Sequence, residues 1–206
     1  MPNKAETFAR SETHINLMRA FAGESQARNR YTIAAGMARE KNLYVVQQAF
    51  LFTADQELTH AKQFYRQLAD LSGQTVRADG TYPVDLYPDL LSHLRAAQHN
   101  EFQEWEHDYA HFAKTASEEG FPLVAKLFDS IAGIERIHGE RFGRFADLLE
   151  REELFVSSVT CQWMCLNCGY LFEGTEAPKL CPVCQHDQGF FIRLEMAPYG
   201  AAVLKK

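Results

Sequence analysis

Two pairs of residues, Glu57 with His60 and Glu135 with His138, put charge where a folded chain ordinarily buries hydrocarbon. Both pairs fall on stripes spaced alternately three and four residues, the inward seam of an amphipathic helix. One stripe runs Phe50, Thr53, Glu57, His60, Phe64, Leu68 and Leu71, and the other Phe128, Ile131, Glu135, His138, Phe142, Phe145 and Leu149. Two further stripes are interrupted in the same way: Leu17, Phe21, Glu24 and Tyr31, then Leu90, Leu94, Ala97, Glu101, Glu104 and Asp108. Glu24, Glu57, Glu101, Glu104 and Glu135 therefore point at one interior. A lone ionised carboxylate in a dry core is costly enough that it normally takes up a proton. Among Lys and Arg, only Arg28, one turn past Glu24, is placed to offset five of them. Two divalent or trivalent cations resolve the conflict. A third Glu-x-x-His, Glu104 with His107, puts its histidine off the stripe, so His107 is expected at the surface.

The stripes define four long helices, predicted over Thr13 to Lys41, Leu43 to Leu71, Asp89 to Glu118 and Phe121 to Glu150. Ser72-Gly73, Pro83, Pro88, Gly120 and Pro122 separate them. Very short links make the first and second helices one antiparallel hairpin, and the third and fourth another. The stretch from Ser72 to Pro88 is long: extended at about 3.3 Å per residue it reaches roughly 55 Å. A helix of about 28 residues measures about 42 Å, so this stretch can cross the full length of a bundle. Two hairpins joined by one long crossover between helices 2 and 3 is the ferritin-like arrangement. Di-metal carboxylate bundles of that kind use one Glu from each of two helices and a Glu-x-x-His from each of the others. Here Glu24 and either Glu101 or Glu104 are the single glutamates, with Glu57/His60 and Glu135/His138 as the pairs. Such ligands suit iron or manganese.

After Glu150 the helical periodicity stops. The chain divides into a bundle over 1–150, a linker over 151–160 and a small module over 161–206. All five cysteines fall between Cys161 and Cys184, a clustering that reads as metal ligation rather than as disulfide stapling. Cys165 and Cys168 form one Cys-x-x-Cys knuckle, and Cys181 and Cys184 form the other. Four thiolates at this spacing hold a structural zinc or a single iron, and the spacing does not choose between them. Gly169 suits a turn with positive φ. Trp163, Tyr170, Phe172, Phe190 and Phe191 are placed to shield the site, and Cys161 is left as a free thiol.

With 46% hydrophobic and 23% charged residues the composition is that of a globular chain,. A net charge of -6 without a basic stripe argues against a nucleic-acid partner,. The polar stretch from Met1 to His14 lacks the apolar core of a signal peptide. No run approaches the roughly 18 apolar residues of a membrane span. A soluble, cytoplasmic protein is expected.

Across nearly its whole length the chain resembles the rubrerythrin family. The resemblance is carried by Ala22-Gly23-Glu24-Ser25-Gln26-Ala27, Glu57-Leu58-Thr59-His60, Glu101-Phe102-Gln103-Glu104, Ile131 through His138, and the two knuckles with their Cys-Gly-Tyr and Cys-Pro-x-Cys contexts. It implies a non-haem di-iron site held by Glu24, Glu57, His60, Glu101, Glu104, Glu135 and His138. It also implies a rubredoxin-like iron on Cys165, Cys168, Cys181 and Cys184, and so favours iron over zinc. The implied activity is reduction of hydrogen peroxide, with electrons from an external donor entering at the four-cysteine iron. Glu104 and His60 match residues that trade places on one iron. Tyr31 and Tyr109 match tyrosines that hydrogen-bond ligand carboxylates; Tyr31 also lies on the face of Glu24, whereas Tyr109 rests on the resemblance only. Asp108 stands where relatives are expected to carry an apolar residue.

The same bundle also suits an iron oxidase or storage protein, although an electron port is then superfluous. A zinc-ribbon tail on a sensing bundle is a third reading. The tail leaves the fourth helix at Glu150, roughly 18–22 Å along its axis from Glu135 and His138. A head-to-tail homodimer, which the resemblance also implies, would set one chain's tail against its partner's di-iron pair.

Overall fold

Helix boundaries follow the local chemistry. The computed structural model describes residues 4–198. A short helix α1 (Lys4–Phe8) precedes α2 (Glu12–Glu40), which Ser11 caps by accepting a hydrogen bond from the His14 backbone N–H at 3.3 Å,. Helix α3 spans Tyr44–Arg66 and ends earlier than its apolar pattern, the remainder forming a tight turn at Ala69–Leu71. Asp89 caps α4 (Leu90–Gln103), accepting from the Ser92 N–H at 2.8 Å. A wide helical turn, Glu104–Asp108, joins α4 to α5 (Tyr109–Glu118). Helix α6 (Pro122–Glu150) starts with proline in its first turn,.

The wide turn corrects one expectation. A strict three-and-four count puts Asp108 on the inward stripe. Winding from Glu104 to Asp108 with i→i+5 bonding takes up one extra residue, so Asp108 is exposed and Tyr109 is buried at 2% exposure.

The crossover, residues 72–89, climbs beside α2. Arg19 donates through Nε to the Asp79 carbonyl at 2.9 Å. Further along, Arg30 pairs with Asp85, which also accepts from Asn100 of α4 at 2.9 Å. The crossover thus spans the bundle and lets α4 run back antiparallel to α2, as expected. At the far end Glu119, just past α5, accepts from the Glu12 and Thr13 backbone N–H groups, each at 2.8 Å, and so supplements the cap of α2,. Two apolar clusters fill the interior, one around Phe50, Leu94 and Phe142, the other around Leu17, Phe64 and Phe128. A charged layer lies between them.

The tail is a three-stranded antiparallel sheet of β1 (Val156–Cys165), β2 (Leu171–Glu176) and β3 (Phe191–Arg193), with β1 central. Strand β1 begins inside the stretch 151–160 that was expected to be linker. The module sits on the end of its own bundle, where α2 turns into α3. Phe190 stacks on Tyr44 with ring centroids 4.1 Å apart, and Ile192 and Leu194 join the bundle's apolar cluster. Gly189 approaches so closely that a Cβ there would lie 1.8 Å from the Asn42 carbonyl oxygen. Among the described residues, no helix is long and apolar enough to cross a membrane.

Candidate metal centre

The charged layer is built by four helices. Glu24 comes from α2, Glu57 and His60 from α3, Glu101 from α4, and Glu135 and His138 from α6; none is more than 5% exposed. They form two groups of four, Glu24/Glu57/His60/Glu135 and Glu57/Glu101/Glu135/His138, with the ligand atoms of each group within 4.8 Å of one another. Glu57 and Glu135 belong to both groups, as carboxylates shared by two metal ions must. His138 Nδ1 lies 2.8 Å from an oxygen of each, and His60 Nδ1 lies 3.0 Å from Glu135 Oε1.

The residues fit a pair of cations. Both carboxylate oxygens of Glu57 and Glu135, one oxygen each of Glu24 and Glu101, and Nδ1 of both histidines are buried without a hydrogen-bond partner. Orphaned buried acceptors are costly, and these converge on one space. Burial pushes the Glu24 carboxyl well above the ordinary range, with Glu135 and Glu57 adding to the rise. Burial and the charge of Glu57 push Glu101 up to about 8. Burial also acts to raise Glu57, yet the closeness of Glu24, His138 and His60 outweighs this and holds it below the carboxylate range. Burial acts to lower the imidazoles, but the surrounding carboxylates lift His60 strongly and His138 to about 11. The whole layer is short of positive charge.

Glu104 stands apart. It joins neither group, is only half-buried, and lines a cavity beneath the crossover. Burial, then the charge of Glu101, pushes its carboxyl well up. His107 is 64% exposed in its side chain, as its off-stripe position implied.

Around the layer, Tyr31 donates its hydroxyl to Glu101, and Tyr109 donates to Glu24. Burial first, then neighbouring carboxylates, keeps both phenols well above their ordinary pKa. Tyr31 shares a helix face with Glu24 yet bonds a carboxylate on another helix. Gln56 and Arg141, neither of them on an inward stripe, complete the layer together with Thr53. Gln56 Oε1 lies 3.1 Å from His138 Nε2 and accepts from Arg141 Nη1 at 3.0 Å, while Arg141 also donates to Thr53 Oγ1 at 2.8 Å. An amide oxygen can only accept, so His138 keeps a proton on Nε2, and Nδ1, which faces the carboxylates, is the nitrogen that would release its proton to bind a cation,. The available signal was spacing: Gln56 precedes Glu57, and Arg141 lies one turn past His138.

In the tail, Cys165, Cys168, Cys181 and Cys184 bring their sulfurs within 4.8 Å of one another. The Cys165–Cys184 and Cys168–Cys181 sulfurs are 3.7 and 3.6 Å apart. A tetrahedron of about 2.3 Å metal–sulfur bonds spaces its corners about 3.8 Å apart. Gly169, at a φ of 77°, and Gln185, at 61°, turn the backbone after the two knuckles. A hydrogen bond from the His186 backbone lowers the Cys184 thiol to about 6, whereas burial raises Cys165 to about 12. Trp163 and Phe191 are fully buried beside the site. Cys161 lies outside the group as a free thiol.

The rubrerythrin family model matches residues 16–146, and the model for the rubredoxin-like domain of rubrerythrins matches residues 163–192. The chain belongs to the rubrerythrin family. It is 43% identical to a rubrerythrin of Clostridium perfringens over 182 residues, 88% of this chain and 93% of that one. To a rubrerythrin of Nitratidesulfovibrio vulgaris it is 39% identical over 181 residues, again 88% and 93% of the two chains. Among solved structures it is similar to nigerythrin in a mixed-valence state, with a TM-score of 0.59 and 26% identity over 88% of this chain and 86% of that one. A Desulfovibrio desulfuricans bacterioferritin shares the bundle fold, with a TM-score of 0.63 at 19% identity over 74% and 87% of the chains. Family membership and the two donor sets together make iron the metal at both sites, a carboxylate-bound pair in the bundle and a single four-thiolate iron in the tail.

Proposed function

We propose that the chain is a non-haem di-iron peroxidase that reduces hydrogen peroxide to water in oxidative-stress defence. The observation that carries this reading is the pairing, in one chain, of a buried carboxylate–imidazole cluster with a four-thiolate site. In this reading Glu24, Glu57, His60, Glu101, Glu104, Glu135 and His138 hold the bundle irons, and Cys165, Cys168, Cys181 and Cys184 hold the third. Hydrogen peroxide, two electrons and two protons give two waters with cleavage of one O–O bond, and a bound pair of irons supplies both electrons at once. A four-thiolate iron passes single electrons and has no open position, which suits delivery rather than catalysis.

The chain's own residues set the conditions. Glu57 and Glu135 keep the two halves in register by serving both. His60 stands inside one group and Glu104 at the cavity wall; in this reading the two would alternate as ligands of one iron. Tyr31 and Tyr109, kept protonated by burial, fix Glu101 and Glu24 by donation. The external donor in this proposal is a rubredoxin or an NAD(P)H-dependent reductase, and the setting is the cytoplasm. The working unit is a head-to-tail homodimer. The tail's position supports it: Phe190 rests on Tyr44, about 20 Å along α3 from Glu57,.

An iron-storage role would leave the four-thiolate site without a task. The test is turnover with an external reductant together with metal analysis, where about three irons per chain are expected. Glu57→Ala should empty the bundle and stop peroxide reduction while sparing the tail's colour. Wild-type turnover in Glu57→Ala would place the chemistry elsewhere.

A further inference from the structure

We infer that the cavity beneath the crossover binds the organic part of a hydroperoxide, so that the protein reduces compact, uncharged alkyl or aryl hydroperoxides as well as hydrogen peroxide. The inference rests on the peroxidase reading and extends it to a second substrate class.

Size is the first argument. The cavity holds about 770 Å³, within the roughly 300–1,000 Å³ of small-molecule sites. Hydrogen peroxide, with two heavy atoms, needs little more than the roughly 30 Å³ share of one water. This groove, open on one side to solvent, has room for a substituent well beyond hydrogen peroxide.

Position is the second. Glu104 and Tyr109 both line the cavity; the first is the proposed ligand that stands outside both metal groups, and the second donates to Glu24. Gly23, next to Glu24 in the chain, forms part of the same wall, and a Cβ there would sit 3.9 Å from the ring of Tyr82. The cavity therefore abuts the charged layer on its Glu24 side. A peroxide group directed at Glu104 would leave its organic substituent among Tyr82, Pro83, Ala20 and Phe112.

Charge is the third. Arg19, at the rim, is already engaged by Asp79 and Glu12, and Tyr82 is tied to it by donating to the Arg19 carbonyl at 3.2 Å. The carboxyls of Glu104 and Asp108 also face the cavity. An anionic substituent, such as the carboxylate of a fatty-acid hydroperoxide, is disfavoured there, and a neutral one is not. The reaction balances as ROOH plus two electrons and two protons giving ROH and water. The O–O bond breaks, the distal oxygen leaves as water and the carbon-bound oxygen takes a proton. The electrons come from the same external one-electron carrier.

The test compares cumene hydroperoxide with hydrogen peroxide on the iron-loaded protein, in the wild type and in Thr81→Trp and Tyr82→Ala. Both positions are on the crossover, so the bundle core is left intact. The first variant puts an indole into the cavity mouth and the second removes an aromatic wall. The ratio of kcat/KM for cumene hydroperoxide to that for hydrogen peroxide should fall about tenfold or more in each, the scale of losing a methylene or two of pocket contact. Titration of the resting holoprotein with 2-phenyl-2-propanol, the product alcohol, should show binding that Thr81→Trp weakens about tenfold or more. Turnover of hydrogen peroxide without turnover of cumene hydroperoxide, or a ratio unchanged in both variants, overturns the inference alone. Binding of the alcohol without turnover of either peroxide overturns the peroxidase reading and leaves the cavity's ligand class standing. Absence of alcohol binding overturns the assignment of the cavity.

Discussion

The hydroxyl of Tyr109 donates to Glu24, 85 residues away, because the wide turn from Glu104 to Asp108 rotates Tyr109 inward. An uninterrupted α-helix would present Asp108 there instead. One extra residue in one turn thus decides whether Glu24 gains a neutral donor or one more acid beside Glu57 and Glu135.

Tyr109→Phe removes that donor and leaves Glu24 Oε1 buried without a partner. The cost should be about 1–3 kcal/mol in unfolding free energy, together with faster loss of bundle iron to a chelator. Tyr65→Phe, at a ring 57% exposed, is the control. Equal stability and iron retention in Tyr109→Phe and Tyr65→Phe would mean that the bond does not hold Glu24.

Gln56→Leu should release His138 from its tautomer, because Nε2 loses its acceptor while Arg141 loses a partner. Iron affinity of the bundle should drop about 10–100-fold, the usual scale for a residue that orients a metal-bound histidine. Gln56→Glu keeps an acceptor and should restore most of it. Competition with a chelator while the tail's absorbance is monitored separates this loss from unfolding; no change in Gln56→Leu would remove Gln56 from the site.

Iron removal should reverse the protein's pH preference. In the metal-free fold Glu101 is raised from its ordinary 4.5 to about 8, and His138 from 6.5 to about 11. A raised folded pKa gives stability that is fully present below the unfolded value and is lost as pH rises through the folded one. Between about pH 5 and 8 the metal-free protein should therefore weaken as pH rises. Glu57, held low, opposes this only at more acid pH. The iron-loaded protein should show the opposite trend, since ligands bind deprotonated. Melting curves at pH 5.5 and 8.5 check both; a metal-free protein that melts higher at pH 8.5 contradicts the argument.

Electron transfer is expected between chains. Chains with Glu57→Ala lack the bundle site, and chains with Cys168→Ser lack the tail site. Each parent should be inactive with an external reductant, while exchanged heterodimers should recover activity through one intact crossing. Failure to recover in verified heterodimers would mean that the electron stays within one chain or that the dimer has another geometry.

The sequence by itself determined the periodic parts. Stripes at helical spacing located the four helices, and breakers located most of their ends, although α3 stops at Arg66, ahead of Ser72-Gly73. Acids and histidines on those stripes marked Glu24, Glu57, His60, Glu101, Glu135 and His138 for one interior layer, because burying so much like charge requires cations. Cysteine spacing located the second site for the same kind of local reason. Tertiary structure decided whatever depends on a change of period or on contact between distant segments. The turn at Glu104–Asp108 is invisible to a count at 3.6 residues per turn, so that count turns Asp108 inward in place of Tyr109. Tyr31 bonds Glu101 rather than the carboxylate on its own face, Arg141 reaches Gln56, and the tail rests on Tyr44. A stripe records which face of a helix is buried; the partner that meets that face is set by how the helices are rotated and stacked against one another.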